Sequence, residues 1–220
     1  MRGDFVLREL SINDFTKVLG EGKPTPGGGA AAALSASLAA ALTSMVFNLT
    51  IDKKVSKDYP ESVIQAMKEA REKTDAFREK YLKLMQEDAS AFDELMDAFS
   101  MAKTTEDEKS LRKGAIDRSK VKVLEIPKEL VHESFAMYDA LKIATEFGNK
   151  NAISDAGVAA ILIHSAIEGA ALNVFINLAG SEVNDENIRM KQETDDIVEK
   201  SKNLKEDIVA VVIDKIYGRQ

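Results

Sequence analysis

The chain has 220 residues, no cysteine, two histidines and a formal net charge of -7. A chain of this length can bury a substantial core without disulfides. The missing cysteines exclude a disulfide framework, a thiolate nucleophile and cysteine-ligated metal sites. The net negative charge is not typical of a nucleic-acid-binding protein, which usually carries a basic surface. We therefore expect neither nucleic acid nor a bound metal ion.

The first predicted helix follows Ser11, which can form a capping box with Asp14, and ends near Gly20. The first twenty residues carry several charges, so we expect no signal peptide and a cytoplasmic location. A loop over residues 21–29 follows, and it ends in the sequence Pro-Thr-Pro-Gly-Gly-Gly.

Residues 30–51 contain no charged side chain. This stretch is long enough to span the hydrocarbon core of a membrane, which is about 30 Å thick. However, alanine predominates and serine, threonine and asparagine interrupt it, so it is far less apolar than a leucine-rich membrane span. We therefore predict a buried core helix and no membrane insertion.

Asp58 and Pro60 offer a cap and an early-turn proline for the next helix, which should run to about Phe99. Apolar positions recur along it at steps of three and four, as a bundle helix requires. Asp88 lies on this apolar seam. Its carboxylate must therefore be paired, hydrogen-bonded or protonated, which is how a general acid or base reaches a pKa near neutrality. The alternative is a seam residue that faces solvent.

Thr105 and Glu108 predict a second capping box, which opens a helix that Pro127 should kink or interrupt. A further helix should end at Gly148 in a left-handed conformation. After a loop over residues 149–154, Ser154 or Asp155 can cap a second low-charge helix that reaches residue 178, and a last amphipathic helix follows.

The elements predict an all-α fold, a single multihelical bundle over residues 1–220 with long, mostly antiparallel helices. Two of these helices are nearly uncharged and should be buried. A helix that is buried all round needs neighbours on every side, and a homodimer would supply them. A central helix pair within a monomer is the alternative.

Other residues are candidates for binding. Gly27, Gly28 and Gly29 precede a helix whose unpaired N–H groups could hold a carboxylate or phosphate. The alternative is that the glycines simply permit a sharp turn. Asn173 and Asn177 are four residues apart and share a helix face, so they could offer amides to a ligand or form a polar bridge between helices.

Asp155 can act as a helix cap or contribute to a site. It lies 18 residues before Asn173, a separation of about 27 Å along a straight helix. A ligand that touches both must be extended, or a second subunit must contribute. His164 and Glu168, four residues apart, are interpreted as a core pair, because no third metal ligand lies nearby in the sequence.

Residues 24–54, PTPGGGAAAALSASLAAALTSMVFNLTIDKK, resemble the opening of the formimidoyltetrahydrofolate cyclodeaminase and methenyltetrahydrofolate cyclohydrolase family. The stretches EIP at 125–127, GNKNAISDAGVAA at 148–160 and NVFINL at 173–178 support the resemblance. There are two departures: Ala30 stands where relatives often have serine, and Asp52 replaces a common glycine.

The resemblance implies an all-helical, typically dimeric enzyme that acts on one-carbon folates without a metal or prosthetic group. In one reaction N10 attacks the formimidoyl carbon on N5 and ammonia leaves; in the other, water opens the methenyl ring. The sequence does not choose between them. The alternative is a catalytically silent folate-binding or helical interaction protein.

The resemblance also implies roles for the candidate residues. Asp88 and Asp155 would transfer protons. Four polar side chains would orient the folate: Asn149, Ser154, Asn173 and Asn177. The glycine loop, Gly27 to Gly29, and Lys53 would receive the anionic glutamate tail of the substrate.

Overall fold

The computed structural model describes residues 6–181 and 184–218. Within these residues the regular structure consists of seven α-helices and three short 3₁₀ turns, with no β-strand. The helices are α1 (Ile12–Leu19), α2 (Gly28–Asn48), α3 (Glu61–Ser100), α4 (Glu106–Ala136), α5 (Tyr138–Phe147), α6 (Ile153–Ala179) and α7 (Asp185–Tyr217). The predicted all-α class is confirmed.

Helices α2 and α6 form the centre of the bundle. Helix α2 packs chiefly against α3 and α6, and α6 also packs against α4 and α7. The two central helices run antiparallel: the Ser35 hydroxyl donates to the Leu162 carbonyl at 3.0 Å, and Gly169 lies against Ala32 near the start of α2. Alanine and glycine at this contact let the two backbones approach closely. One continuous hydrophobic core includes side chains from all seven helices. The assignment of residues 1–220 to one domain stays a prediction.

The two low-charge helices are buried on most sides but not on all. Helix α2 and the segment from the turn before α6 to its end are long and apolar enough to cross a membrane by length and composition alone. Most of the apolar window in α2, and half of the window in the second segment, lies inside the bundle. Each helix nevertheless leaves one apolar face exposed.

The predicted capping box at Thr105 is confirmed, and Ser11 is confirmed as an N-cap with one of the two hydrogen bonds of a capping box. The Ser11 hydroxyl accepts a hydrogen bond from the Asp14 backbone N–H at 3.1 Å. Thr105 and Glu108 form a reciprocal pair, in which each side chain accepts from the other residue's backbone N–H. These caps are readable from the sequence because every partner lies within three residues.

The predicted caps of α3 and α6 are wrong. Pro60, rather than Asp58, is the N-cap residue of α3 and makes no side-chain cap. Helix α6 begins at Ile153, at least two residues earlier than predicted, because a 3₁₀ turn already leads into it. Ser154 and Asp155 therefore lie in its first turn, where the negative charge of Asp155 suits the positive end of the helix dipole.

Two predicted helix breaks also differ in the structure. The sequence predicts a kink or an interruption at Pro127, and helix α4 continues through this buried proline without an interruption. The packing of α4 against α3 and α6 offsets the backbone hydrogen bond that proline removes. Gly148 does end α5, but with an extended backbone (φ -64°, ψ 154°) rather than a left-handed one. A Cβ atom there would overlap the Ala144 carbonyl and lie 2.5 Å from a methyl carbon of Val46, so close packing requires the glycine.

Candidate active site at the start of helix α2

The glycine loop ends where α2 begins. Gly27 is the N-cap residue, and Gly28 and Gly29 form the start of the first turn, two residues earlier than predicted. The Thr25 hydroxyl donates to the Asp93 carboxylate at 2.8 Å, which ties the loop to α3. The first backbone N–H groups of a helix have no partner within the helix, so this end of α2 favours a negative charge.

Helix α3 places the side chain of Asp88 against this helix start. The carboxylate lies so close to Gly29 that a Cβ atom at residue 29 would overlap it, and the backbone N–H of Ala30 donates a hydrogen bond to it. The protein's own carboxylate therefore occupies the place where the sequence predicts a substrate anion.

Burial raises the pKa of Asp88 to about 6, and the hydrogen bond from Ala30 opposes part of that shift. The side chain is half-buried. A carboxyl group with this pKa changes protonation state close to neutral pH, where it can both accept and donate a proton. Asp88 thus has the properties of a general acid or base at the edge of the bundle.

The two helical asparagines have different surroundings. The side-chain amide nitrogen of Asn173 lies beside Gly28, 3.9 Å from where a Cβ atom would stand, and donates to the Gly169 carbonyl at 2.8 Å. Asn173 therefore borders the same helix turn as Asp88. Asn177 donates to the Val123 carbonyl at 2.6 Å and links α6 to α4, as the polar-bridge alternative expects.

A second group of candidate residues lies at the opposite end of α2. Lys53 is exposed and lines a cleft of about 670 Å³ with two further lysines. The cleft is formed by Leu49, Lys53, Lys54, Val55, Asn149, Lys150 and Asn151. The Asn149 side chain donates to the Leu49 carbonyl at 2.9 Å and closes the last turn of α2. Ser154, which is exposed, and Asp155, which is half-buried, lie in the α6 turn that follows.

The predicted site residues therefore fall into two groups. The structure brings together the three glycines, Asp88 and Asn173. It does not bring them to Lys53 or Asp155, because α2 has 21 residues between the two ends, a length of about 30 Å.

Two features of these ends were not predicted. The Thr25–Asp93 hydrogen bond joins positions 68 residues apart, and no spacing in the sequence connects them. Lys150 follows Asn149 in the same loop, so its position in the cleft could have been predicted from the sequence.

Asp52, where the family resemblance leads us to expect glycine, has a left-handed backbone with φ 57°. Glycine adopts this conformation without strain, and aspartate is one of the few other residues that tolerate it.

His164 lies in the core, as predicted, although its closest partner is not Glu168. Its Nδ1 atom is 2.9 Å from the Ser201 hydroxyl, and its Nε2 atom is 3.6 Å from Glu168. Burial lowers the pKa of His164, which favours the neutral ring. Across residues 6–181 and 184–218, no group of three or more histidine or acidic side chains could hold a metal ion.

Comparison with known proteins gives a consistent match. Residues 11–200 match the family model described as formiminotransferase-cyclodeaminase. The chain is 38% identical over 170 residues to the methenyltetrahydrofolate cyclohydrolase of Methylorubrum extorquens, covering 77% of this chain and 80% of that protein. It is 30% identical over 172 residues to the formimidoyltransferase-cyclodeaminase of Mus musculus, covering 78% of this chain. The alignment spans only 31% of the mouse protein.

A solved structure agrees with the sequence matches. The formiminotetrahydrofolate cyclodeaminase of Thermotoga maritima superposes with a TM-score of 0.68 and 29% sequence identity. The superposition covers 96% of this chain and 98% of that one. The resemblance drawn from the glycine loop and the low-charge helices is confirmed, and the chain belongs to the formiminotransferase-cyclodeaminase family.

Proposed function

We propose that this protein is a one-carbon folate enzyme that hydrolyses 5,10-methenyltetrahydrofolate. The observation that carries the proposal is the Asp88 carboxylate, held half-buried against the start of α2 in a chain 38% identical to a methenyltetrahydrofolate cyclohydrolase. Burial raises the pKa of this group to about 6, so one side chain can serve both proton transfers of the reaction.

The chemistry needs a base and then an acid. The oxygen of a water molecule bonds to the methenyl carbon while ionised Asp88 takes a proton from that water, and the carbon becomes tetrahedral. One carbon–nitrogen bond then breaks as the hydroxyl oxygen forms the carbonyl and loses its remaining proton to solvent water. The electron pair of the broken bond goes to the nitrogen, and Asp88 returns the first proton to that nitrogen. The product is a formyl-tetrahydrofolate. Atoms and charge balance, because the cationic methenyl group and one water give the neutral formyl group and one proton released to solvent.

Cyclodeaminase activity on 5-formimidoyltetrahydrofolate is the second candidate. It is favoured by the match to the Thermotoga maritima cyclodeaminase, because this chain covers 98% of that protein. N10 would attack the formimidoyl carbon, and the tetrahedral intermediate would lose ammonia after proton transfer to its nitrogen. The same carboxylate at the same carbon would serve both reactions.

The remaining candidate residues receive roles in the same proposal. Asn173 and the glycine loop would orient the substrate beside Asp88, since they border the same turn of α2. Lys53 would attract the glutamate tail of the folate. Asp155 is retained as a second candidate for proton transfer. Asn149, Ser154 and Asn177 are retained as orienting groups, although the side chains of Asn149 and Asn177 also tie helices together.

We propose a cytoplasmic homodimer that uses a tetrahydrofolate derivative as substrate and needs neither a metal ion nor a prosthetic group. The exposed apolar faces of α2 and α6 support the homodimer, because self-association would remove them from water.

The test is a two-substrate assay of the purified protein, with 5,10-methenyltetrahydrofolate in one arm and 5-formimidoyltetrahydrofolate in the other. Loss of the methenyl absorbance faster than in buffer identifies the cyclohydrolase. Appearance of that absorbance together with ammonia identifies the cyclodeaminase. Folate binding without turnover of either substrate would contradict the enzyme and favour the silent binding protein.

A further inference from the structure

The loop before α2 is tied to the bundle at one point. The Thr25 hydroxyl donates a hydrogen bond of 2.8 Å to the Asp93 carboxylate on α3. Across residues 6–181 and 184–218, this is the only hydrogen bond that joins residues 22–26 to a helix of the bundle. A carboxylate acceptor makes such a bond shorter and stronger than a bond between neutral groups. Thr25 and Asp93 therefore set where the loop lies against α3.

The same helix carries the candidate proton-transfer group. Asp88 lies five residues before Asp93, a rise of about 7.5 Å along α3. Because α3 is unbroken over Glu61–Ser100, the two carboxylates keep a fixed spacing. Asp93 holds the loop that enters α2, and Asp88 accepts the backbone N–H of Ala30 in the first turn of α2. Helix α3 thus contacts the entry to α2 at two points.

The loop sets where the start of α2 lies beside Asp88. Thr25 is three residues before Gly28, the first residue of α2, so a displacement of Thr25 reaches the first turn directly. That turn has little room, because the Asp88 carboxylate already lies against Gly29 where a Cβ atom would stand. A misplacement of about 1 Å can lower the rate of an enzyme by about 10²-fold. The loop contact and the geometry of proton transfer are therefore linked.

We propose that Asp93 is a positioning residue for the reaction. Through Thr25 it holds the first turn of α2 in the place where the Asp88 carboxylate fits against Gly29 and accepts the Ala30 N–H. In this role Asp93 touches neither the substrate nor the transferred proton, and the position of its oxygen matters more than its charge. The proposal rests on the function proposed above, in which Asp88 transfers the proton.

Kinetics of matched variants test this role. Thr25→Val keeps the size of the side chain but removes the hydroxyl, and Asp93→Ala removes the acceptor. For the folate that the wild type turns over, each should lower kcat by about 10–10²-fold and change KM much less. Thr25→Ser and Asp93→Asn keep a donor and an acceptor, so each should return most of the turnover. Thr104→Val, in the exposed turn before α4, is the control and should match the wild type.

Two combined variants separate positioning from other effects. Thr25→Val together with Asp93→Ala should be no slower than either variant alone, because both break the same bond. Thr25→Val added to Asp88→Asn should change kcat little, since the group that the loop positions no longer transfers a proton. Losses that multiply in either combination would overturn the proposal. A raised KM with unchanged kcat in Thr25→Val would also overturn it, because Thr25 would then bind the substrate directly.

Amide hydrogen exchange gives a readout that does not depend on turnover. In Thr25→Val the Ala30 N–H should exchange faster than in the wild type, because its hydrogen bond to Asp88 is weakened. Amides in the middle of α2 and α6 should keep their protection, which shows that the variant is folded. Unchanged protection of Ala30 in a variant with reduced kcat would contradict the proposal.

The exchange measurement also keeps the two proposals apart. A wild type that turns over neither folate would remove the proposed function, and the positioning role with it. The Ala30 exchange rate would then show separately whether the Thr25–Asp93 bond holds the helix start. An active wild type whose kcat is unaffected by Thr25→Val and Asp93→Ala would instead remove the positioning role and leave the proposed function standing.

Discussion

The carboxylate of Asp88 lies so close to Gly29 that a Cβ atom at residue 29 would overlap both of its oxygens. This contact explains why glycine stands at residue 29, in the first turn of α2. It also joins the two features that the sequence singles out separately, the glycine loop and the acidic residue on an apolar seam. The Ala30 N–H and the helix dipole favour the ionised carboxylate, while burial favours the protonated one.

Gly29→Ala should disable the enzyme by displacing Asp88. The new methyl group would occupy the space of the carboxylate, so the carboxylate must turn away from the helix start. Loss of a positioned proton-transfer group lowers the rate by about 10²–10⁴-fold. The measurement is kcat/KM with each folate substrate.

Gly28→Ala is the matched control for that substitution. A Cβ atom at residue 28 has only the Asn173 amide near it, at 3.9 Å, which is an ordinary van der Waals distance. Alanine is also favoured over glycine in a helix by roughly 0.5–1 kcal/mol. The control should therefore fold at least as stably as the wild type and lose less turnover than Gly29→Ala, because it leaves Asp88 in place. Equal activity of the two variants would show that the Asp88–Gly29 contact does not matter for catalysis.

The pKa of Asp88 predicts a pH-dependent difference in stability between the wild type and Asp88→Asn. The pKa of this group is raised from 3.8 to about 6, so the folded protein holds the proton more tightly than the unfolded chain. The stabilisation that protonated Asp88 gives is complete below the pKa of the unfolded chain. It is lost as the pH rises through the pKa of Asp88 in the folded protein. Asparagine does not titrate, so the stability of Asp88→Asn does not fall with pH through this residue.

From pH 4 to pH 7, Asp88→Asn should therefore gain stability relative to the wild type by up to about 3 kcal/mol, since each pKa unit corresponds to roughly 1.4 kcal/mol. Urea unfolding of both proteins across this range measures the difference. Other titrating groups, including His164, are present in both proteins and largely cancel. A difference that stays constant with pH would show that Asp88 titrates as it does in the unfolded chain.

Gly148→Ala should destabilise the fold. Its Cβ atom would overlap the backbone carbonyl of Ala144 and crowd Val46, and a backbone carbonyl cannot simply rotate away. Overpacking of this kind typically costs about 1–3 kcal/mol. Gly114→Ala is the control, because its Cβ atom would meet only the flexible end of Arg118, at 3.4 Å. Thermal unfolding should rank Gly148→Ala below the wild type and Gly114→Ala at or above it, and the reverse order would contradict this account.

A buried hydrogen-bonded chain links α5, α6 and α7. The Ser201 hydroxyl lies 2.9 Å from the Tyr138 hydroxyl and 2.9 Å from His164 Nδ1. Ser201→Ala leaves the buried histidine nitrogen without this partner, at a cost of about 1–3 kcal/mol. Tyr138 keeps its hydrogen bond to the Ser201 carbonyl at 3.1 Å. Chemical denaturation measures the loss, with the exposed Ser110→Ala as control; equal stability of both variants would argue against this network.

The sequence predicts the features of this structure whose partners are close along the chain. The Ser11 N-cap and the capping box at Thr105 are local, and the periodicity of α3 places Asp88 on the buried seam. The predicted start of α6 is wrong because a 3₁₀ turn, capped by the Asn149 side chain, precedes Ser154 and leads directly into the helix. Continuation of α4 through Pro127 depends on its packing against other helices.

The arrangement of the site depends on packing as well. That Asp88 meets the start of α2, and that Asn173 borders the same turn, follows from how α3 and α6 are aligned beside α2. No local pattern specifies that alignment. The separation of Asp155 from Asn173 was predictable, since it follows from helix rise alone.

The most direct test of the central claim is the pH dependence of kcat/KM for 5,10-methenyltetrahydrofolate hydrolysis, measured for the wild type and for Asp88→Asn. If Asp88 transfers the proton, the wild-type profile bends near pH 6 and the variant is reduced by about 10²-fold or more without that bend. The variant must remain folded by circular dichroism. A folded variant with wild-type activity and the same profile would contradict the assignment of Asp88.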